Sequence, residues 1–224
     1  MPIKKLDNNY VSISHKIENG FFKKIFEYKN HQDWHLAEER LDFFSKKSGA
    51  GTLIPQYNWK RSLNIFFIEQ KLIQKSISRP TFINYKNLAI DLDGLDLEFF
   101  PHGDLNRKNI IFYKNMFYLV DIEPIIVIER PNEKNMLRST IPYIHKKDLE
   151  HQSISILSDL LGFFCFILKA HGTGHSVIKK NHNQLCEVVQ NFAYKPSPFF
   201  NLFIFSDFFK NELLNFESTY KEKR

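Results

Sequence analysis

A chain of 224 residues, 43% of them hydrophobic, is long enough for one sizeable core or for two small lobes sharing a cleft. Lys and Arg number 31 against 25 Asp and Glu, giving a formal charge of +6 and a pI near 9.1, which favours anionic partners in general. The charge is spread out, with no basic helix or aromatic-basic stripe, so no specific nucleic-acid partner is expected. Two cysteines exclude a disulfide framework and a four-cysteine metal site, and they fit a reducing, cytoplasmic compartment. The first ten residues lack the apolar core of a secretory leader, and the longest apolar run, Leu160 to Leu168, is too short to span a bilayer.

In chain order, the first predicted element is a hairpin. Val11, Ile13, His15 and Ile17 alternate with polar residues, Asn19-Gly20 supplies a two-residue turn, and Phe21 to Phe26 returns. Pairing Glu18 with Phe21 sets Ile17 beside Phe22, His15 beside Lys24 and Ile13 beside Phe26. That register turns Lys24 to the apolar inner face and Lys23 outward with Lys16. A helix is predicted from about Gln32 to Lys47, with Trp34, Ala37, Leu41 and Phe44 at helical spacing and Glu38 and Glu39 beside the stripe. Ser48-Gly49-Ala50-Gly51 ends it, and Leu63 to Ile68 reads as a strand entering Glu69-Gln70. Arg79 to Phe100 is too short and acidic to predict a helix with any force. A second hairpin is predicted from Asn109 to Phe112 and Met116 to Val120 around Tyr113-Lys114-Asn115. Helices come next over Ile156 to Ala170, Asn183 to Phe192 and Phe199 to Phe216. Strands with one helix come first and helices later, an α+β layout. The run Phe199 to Phe209 reads as core packing, with docking on a membrane interface as its alternative use.

The chemistry concentrates in Phe99-Phe100-Pro101-His102-Gly103-Asp104-Leu105-Asn106-Arg107-Lys108-Asn109, a polar loop that leads through the second hairpin to Val120-Asp121-Ile122-Glu123. A carboxylate, a carboxamide five residues on and a second carboxylate after a hairpin can converge on a phosphate-bound metal. Asp104 would take the proton of an acceptor hydroxyl, while Asn109 and Asp121 would offer hard oxygen ligands to Mg²⁺. In this order and spacing, His102, Asp104, Asn109 and Asp121 resemble the catalytic loop and metal-binding aspartate of the protein-kinase-like superfamily. The His-Gly-Asp spelling is similar to that of aminoglycoside, choline and lipopolysaccharide-sugar kinases. The resemblance implies a single kinase-like domain over 1–224, with a small β-rich N-lobe to about residue 70 and a mainly helical C-lobe from about 71. It implies ATP and Mg²⁺ as cofactors and a hydroxyl acceptor. Lys24, with Lys23 as its rival, takes the place of the phosphate-holding lysine, and Glu38, or else Glu39, that of its helix partner. Glu69 falls at the hinge whose backbone groups would meet adenine.

The same resemblance makes Ser139 to Asp148 similar to the end of a protein-kinase activation segment. Asp159, 38 residues after Asp121, is matched with the helix aspartate that braces the catalytic loop, against a plain helix-cap reading. Three departures stand beside it. No glycine-rich loop exists, since Asp7-Asn8-Asn9-Tyr10 occupies its place. Glu123 stands where the metal-binding motif usually carries glycine. Asn106 replaces the lysine common two residues after the catalytic aspartate, and Arg107 or Lys108 is left to neutralise acceptor-side charge. The expected function is therefore an ATP-dependent phosphotransferase acting on a protein Ser/Thr. A lipopolysaccharide-core or other sugar kinase is the alternative acceptor class, with peripheral membrane association possible, and a non-catalytic scaffold is the alternative without chemistry.

Overall fold

The computed structural model describes residues 3–4, 10–28, 34–76, 78–123, 143–151, 153–207 and 209. It is a mixed α+β arrangement in which small N-terminal strands form an antiparallel sheet and helices dominate the later part of the chain. Strand β1 is Ile3–Lys4. Strands β2 (Tyr10–Glu18) and β3 (Phe21–Tyr28) form the expected hairpin, with Asn19 and Gly20 both at positive φ (51° and 76°), the turn whose twist matches that of the flanking strands. Glu18 faces Phe21, Ile17 faces Phe22 and His15 faces Lys24, but Ser12 rather than Ile13 faces Phe26. A bulge between Ser12 and Ser14 inserts one residue and shifts the register there, a break that strict alternation cannot anticipate.

Helix α1 (Trp34–Lys46) packs across the sheet, burying Ala37, Arg40, Leu41 and Phe44. The strand predicted from Leu63 is a pair. Strand β4 (Tyr57–Ser62) turns at Leu63-Asn64 into β5 (Ile65–Lys71), and the sheet order is β2-β3-β5-β4. The β4 sequence, Tyr-Asn-Trp-Lys-Arg-Ser, lacks an apolar stripe because it is the sheet edge. It is held to α1 by Trp59 Nε1, which donates to Asp42 Oδ1 at 3.0 Å, and to β5 by stacking of Trp59 on Phe66 as well as by the strand pairing.

The segment 79–100 does contain a helix, α2 (Phe82–Asp93). Its start is fixed by Thr81 and Asn84, the Thr81 N–H donating to Asn84 Oδ1 at 2.8 Å, and it buries Leu88, Ala89 and Leu92. The acidic character that argued against it has a use. The Asp93 carboxylate accepts the N–H groups of Phe199 and Phe200 at 2.9 and 3.0 Å, satisfying donors at the start of the last helix. Strands β6 (Ile110–Tyr113) and β7 (Met116–Leu119) form the second hairpin around Lys114 and Asn115, both at positive φ. Beyond residue 142 come α3 (Lys146–His151), β8 (Ser153–Ile154, paired with β1), α4 (Ile156–Ala170), α5 (His175–Lys180), α6 (His182–Phe192) and α7 (198–207). The short α5 carries too little periodic pattern to be predicted. The expected extension of the last helix to Phe216 lies outside the described residues.

Helix α4 is apolar on nearly every side, as a helix enclosed by its neighbours must be. Phe163 packs edge-on against Phe199, and Phe164 meets Phe209 with ring centroids 5.5 Å apart. On α7 and just beyond it, Phe199, Leu202, Phe203 and Phe209 are buried and serve the core, while Ile204 is exposed. Among the described residues, no helix is long and apolar enough to cross a membrane. Gly162 marks the closest approach in the helical part: a Cβ there would overlap the Leu105 carbonyl oxygen. Because the obstacle is backbone, Gly162→Ala is expected to cost about 1–3 kcal/mol or more. A lowered urea midpoint with unchanged m-value would register it, and an unchanged midpoint would contradict the packing.

Candidate active site

The loop from Pro101 to Asn109 runs along the N-terminal end of α4, and its backbone is fixed by a buried carboxylate. Asp159 accepts the His102 N–H through Oδ2 at 2.6 Å and the Gly103 N–H through Oδ1 at 2.7 Å. Ser155, not Asp159, caps α4, its Oγ accepting from the Leu157 N–H at 3.2 Å, so the plain helix-cap reading of Asp159 does not hold. Burial pushes the Asp159 carboxyl up to about 7, against the opposite pull of its two N–H donors. The absence of a side chain at Gly162, one turn further on, lets the helix come close enough for Asp159 to reach both donors.

His102 is buried and works inside the loop. Its Nδ1 accepts the Asp104 N–H at 3.3 Å, and its Nε2–H donates to Val120 O at 3.0 Å, a pairing that defines one tautomer of the neutral ring. Burial lowers its pKa to about 4, with the nearby Arg40 guanidinium acting in the same direction. The ring thus joins the loop to the β7 end as an uncharged brace. The Asp104 carboxylate is held by two amides: Asn106 Nδ2 donates to Oδ1 at 2.7 Å and Asn109 Nδ2 donates to Oδ2 at 2.9 Å. Burial raises the Asp104 pKa, with the amide donors opposing. Asn106 also accepts the Lys108 N–H at 2.8 Å, so it shapes the loop as well as orienting Asp104.

Beside this loop lies a cleft of about 400 Å³. The sheet supplies His15, Phe22, Lys24 and Gln70, and the opposite wall supplies Lys108, Asn109, Val120 and Asp121. Lys24 Nζ donates to Asp121 Oδ1 and, at 2.9 Å, to Glu123 Oε1. Burial alone would lower the Lys24 pKa, but Glu123 and Asp121 outweigh it and raise the value. Lys23 points to the other face, where it pairs with Glu18 at 3.1 Å and Glu69 at 2.9 Å. Asp121 adopts a left-handed backbone (φ 67°), a conformation that aspartate tolerates better than most residues, and its N–H donates to Gln70 Oε1 at 3.0 Å.

One expected placement is corrected. Glu38 does not meet Lys24; its carboxylate takes Arg61 Nε at 2.5 Å on the edge strand, and Glu39 is exposed. The reason is helical register: the face of α1 turned to the loop carries Arg40, two residues on. The Glu69 side chain points out of the cleft toward Lys23, because alternation along β5 turns Gln70 and Ile68 inward; the expected contact at the hinge is one of backbone groups, which side-chain direction does not decide. The chain lining the cleft end is Gln70 to Ile73. Of the expected end of an activation segment, Ser139 to Asp148, residues 139–142 lie outside the described residues. At its end, Asp148 accepts the Ser155 N–H at 3.0 Å and Ser155 Oγ–H at 2.7 Å.

Arg40 and Gln70 were not singled out from the sequence. Arg40 is 1% exposed and donates to Glu123 O at 2.8 Å, to His102 O at 3.1 Å and to Pro101 O. Its signal was present: it lies three residues after Ala37 and four before Phe44, a charge inside an apolar stripe. Gln70 follows Phe66 and Ile68 in the same inward alternation.

The residues fit a hard divalent cation. Asn109 spends its Nδ2 on Asp104, which leaves its amide oxygen for a ligand, and Asp121 has a second carboxylate oxygen beyond the one facing Lys24. Among the described residues, no three His, Cys, Asp or Glu side chains form a self-contained metal site. A cation held by Asn109 and Asp121 would complete its shell with oxygens from outside the protein, water or a ligand.

No family model matches the chain, and no curated protein matches it. Among solved structures, one match is that of the Cydia pomonella granulovirus kinase PK-1, with a TM-score of 0.42 and 10% identity, covering 70% of this chain and 68% of that one.

Proposed function

We propose that this chain is an ATP-dependent phosphotransferase, with one kinase-like domain over 1–224 whose N-lobe reaches about residue 70 and whose C-lobe occupies the remainder. The observation that carries the reading is the convergence of Lys24, Asn109 and Asp121 on one cleft, with Asp104 hydrogen-bonded to Asn109 beside it. In this reading Lys24 holds the nucleotide phosphates, and Asn106 and His102 keep Asp104 in place. Asp104 accepts the proton of the acceptor hydroxyl as its oxygen bonds to the γ-phosphorus and the bond to the β-phosphate oxygen breaks, leaving ADP. Mg²⁺ held by Asn109 and Asp121 would neutralise charge on the phosphates. The acceptor favoured by the 38-residue interval from Asp121 to Asp159 is a protein Ser or Thr. A sugar or lipopolysaccharide hydroxyl is the second acceptor class, favoured by the His-Gly-Asp spelling, and assays with each acceptor separate them.

A nucleotide-binding scaffold without transfer activity is the reading favoured by one other observation: no glycine precedes Gly20, so no glycine-rich cover for phosphates exists at the β2 side of the cleft. The test of the metal assignment is thermal. ATP is expected to raise the unfolding temperature more with Mg²⁺ than with EDTA, because a ligand that binds only the folded state stabilises it by mass action. A shift indifferent to chelation, or none at millimolar ATP, removes the assignment. Mg²⁺-ATP binding without phosphate transfer to protein, sugar or the chain itself makes the scaffold reading the better one.

A further inference from the structure

A lysine that holds phosphate needs a fixed anionic partner, because its four-carbon stem otherwise leaves the ammonium free to move. Two carboxylates reach Lys24, from Asp121 and from Glu123, and they are not equivalent. On the phosphotransfer reading the Asp121 carboxylate turns to the cation, which leaves Glu123, at 2.9 Å from Nζ, as the carboxylate on Lys24. The Glu123 backbone is fixed independently: Arg40 Nε donates to its carbonyl at 2.8 Å, while the same guanidinium donates to Pro101 O and, at 3.1 Å, to His102 O. Arg40 is itself pinned over the Phe44 ring at 4.8 Å. Residue 123 and the loop carrying Asp104 are therefore referenced to one buried side chain. Glu38 cannot compete from where it stands, since Arg61 holds it at 2.5 Å.

We propose that Glu123 is the positioning residue for Lys24, doing from the segment after Asp121 what a carboxylate on helix α1 would otherwise do, with Arg40 fixing it against the Asp104 loop. This rests on the phosphotransfer reading of the cleft. It makes the phosphate-holding geometry depend on the conformation of the chain just beyond Asp121, which α1 reaches through Arg40 rather than through a carboxylate of its own.

The test is a double-mutant cycle on the full chain, read as the Kd for Mg²⁺-ATP by calorimetry in wild type, Glu123→Gln, Lys24→Met and the double variant, with Glu38→Gln alongside. Glu123→Gln is expected to weaken binding about tenfold, the scale of one charge-assisted hydrogen bond, and to add nothing once Lys24 is gone. Glu38→Gln is expected to bind as wild type does. Arg40→Lys, which keeps the charge and loses the fork, is a second variant expected to weaken binding only while Lys24 is present. The proposal is overturned if Glu38→Gln weakens binding as much as Glu123→Gln, or if the Glu123→Gln loss persists undiminished without Lys24. Should wild type bind no Mg²⁺-ATP, the phosphotransfer reading fails, and with it the phosphate-holding role given to Lys24. The same cycle run on thermal unfolding then judges the pairing separately: coupling of Lys24 to Glu123, with none to Glu38, keeps Glu123 as its positioning partner, and absent coupling removes it.

Discussion

Replacing Asp104 by asparagine is expected to slow phosphoryl transfer by about 10²–10⁴-fold, the usual contribution of a positioned general base, while Mg²⁺-ATP still binds. The substitution keeps the shape of the side chain and removes its charge and basicity. It also disturbs one hydrogen bond by necessity. Both Asp104 oxygens accept from amides, Oδ1 from Asn106 and Oδ2 from Asn109, and an asparagine has one acceptor for two donors. Its oxygen can stay with Asn109 Nδ2, which preserves the Asn109 oxygen for the cation, and its amide nitrogen then faces Asn106. A stability loss of about 1 kcal/mol is expected from that lost bond. The measurement is single-turnover transfer from labelled ATP, beside a calorimetric Kd for Mg²⁺-ATP and a thermal melt. Equal transfer by wild type and variant would show that another group takes the proton. A large loss of nucleotide affinity would show that Asp104 supports the metal site and not the acceptor alone.

Removing the Asp159 carboxylate is expected to be the most destabilising single change near the site. Asp159→Ala leaves the His102 and Gly103 N–H groups buried without an acceptor, at about 1–3 kcal/mol each. Asparagine is not a rescue, because it offers one oxygen to two donors and turns its own N–H toward the second. The penalty should also depend on pH in a defined direction. The folded-state pKa, pushed up to about 7, lies above the ordinary aspartate value of about 4, so the folded chain holds a proton that the unfolded chain has released between those limits. The contribution of Asp159 to stability is then full below about pH 4 and falls as pH rises through 7. The difference in urea midpoint between wild type and Asp159→Ala should accordingly be larger at pH 5 than at pH 8. A difference that stays the same from pH 5 to pH 8 would mean that the two N–H donors hold the carboxylate ionised throughout that range. Because the same two bonds hold the loop that carries Asp104, the variant is expected to lose transfer activity even where it remains folded.

How the sequence and the folded chain divide the information depends on the range of the interactions. Local pattern suffices for the β2–β3 hairpin, because Asn19-Gly20 permits two successive positive φ angles and alternation then fixes the faces of Lys23 and Lys24. It suffices for α1 and α4 as well, where apolar spacing and the Ser155 cap act within a few residues of each other. The spacing from His102 to Asp121 is likewise local, since one short hairpin closes it. What local pattern does not hold is anything decided by a neighbour distant in the chain. Strand β4 has no apolar stripe of its own and exists because β5 and α1 accept it, and α2 makes use of its acidic end because α7 starts against Asp93. On a helical wheel Glu38 flanks the apolar stripe and Glu39 lies across from it, but only the packing of α1 between the sheet and the Asp104 loop gives Glu38 to Arg61 and sends Arg40 to Glu123. The sequence by itself determined which residues carry reactive groups and, through turns and alternation, which way Lys24 faces. Tertiary structure alone decided what each of them meets, because a buried charge settles on whichever donors and acceptors the assembled chain leaves within reach of it.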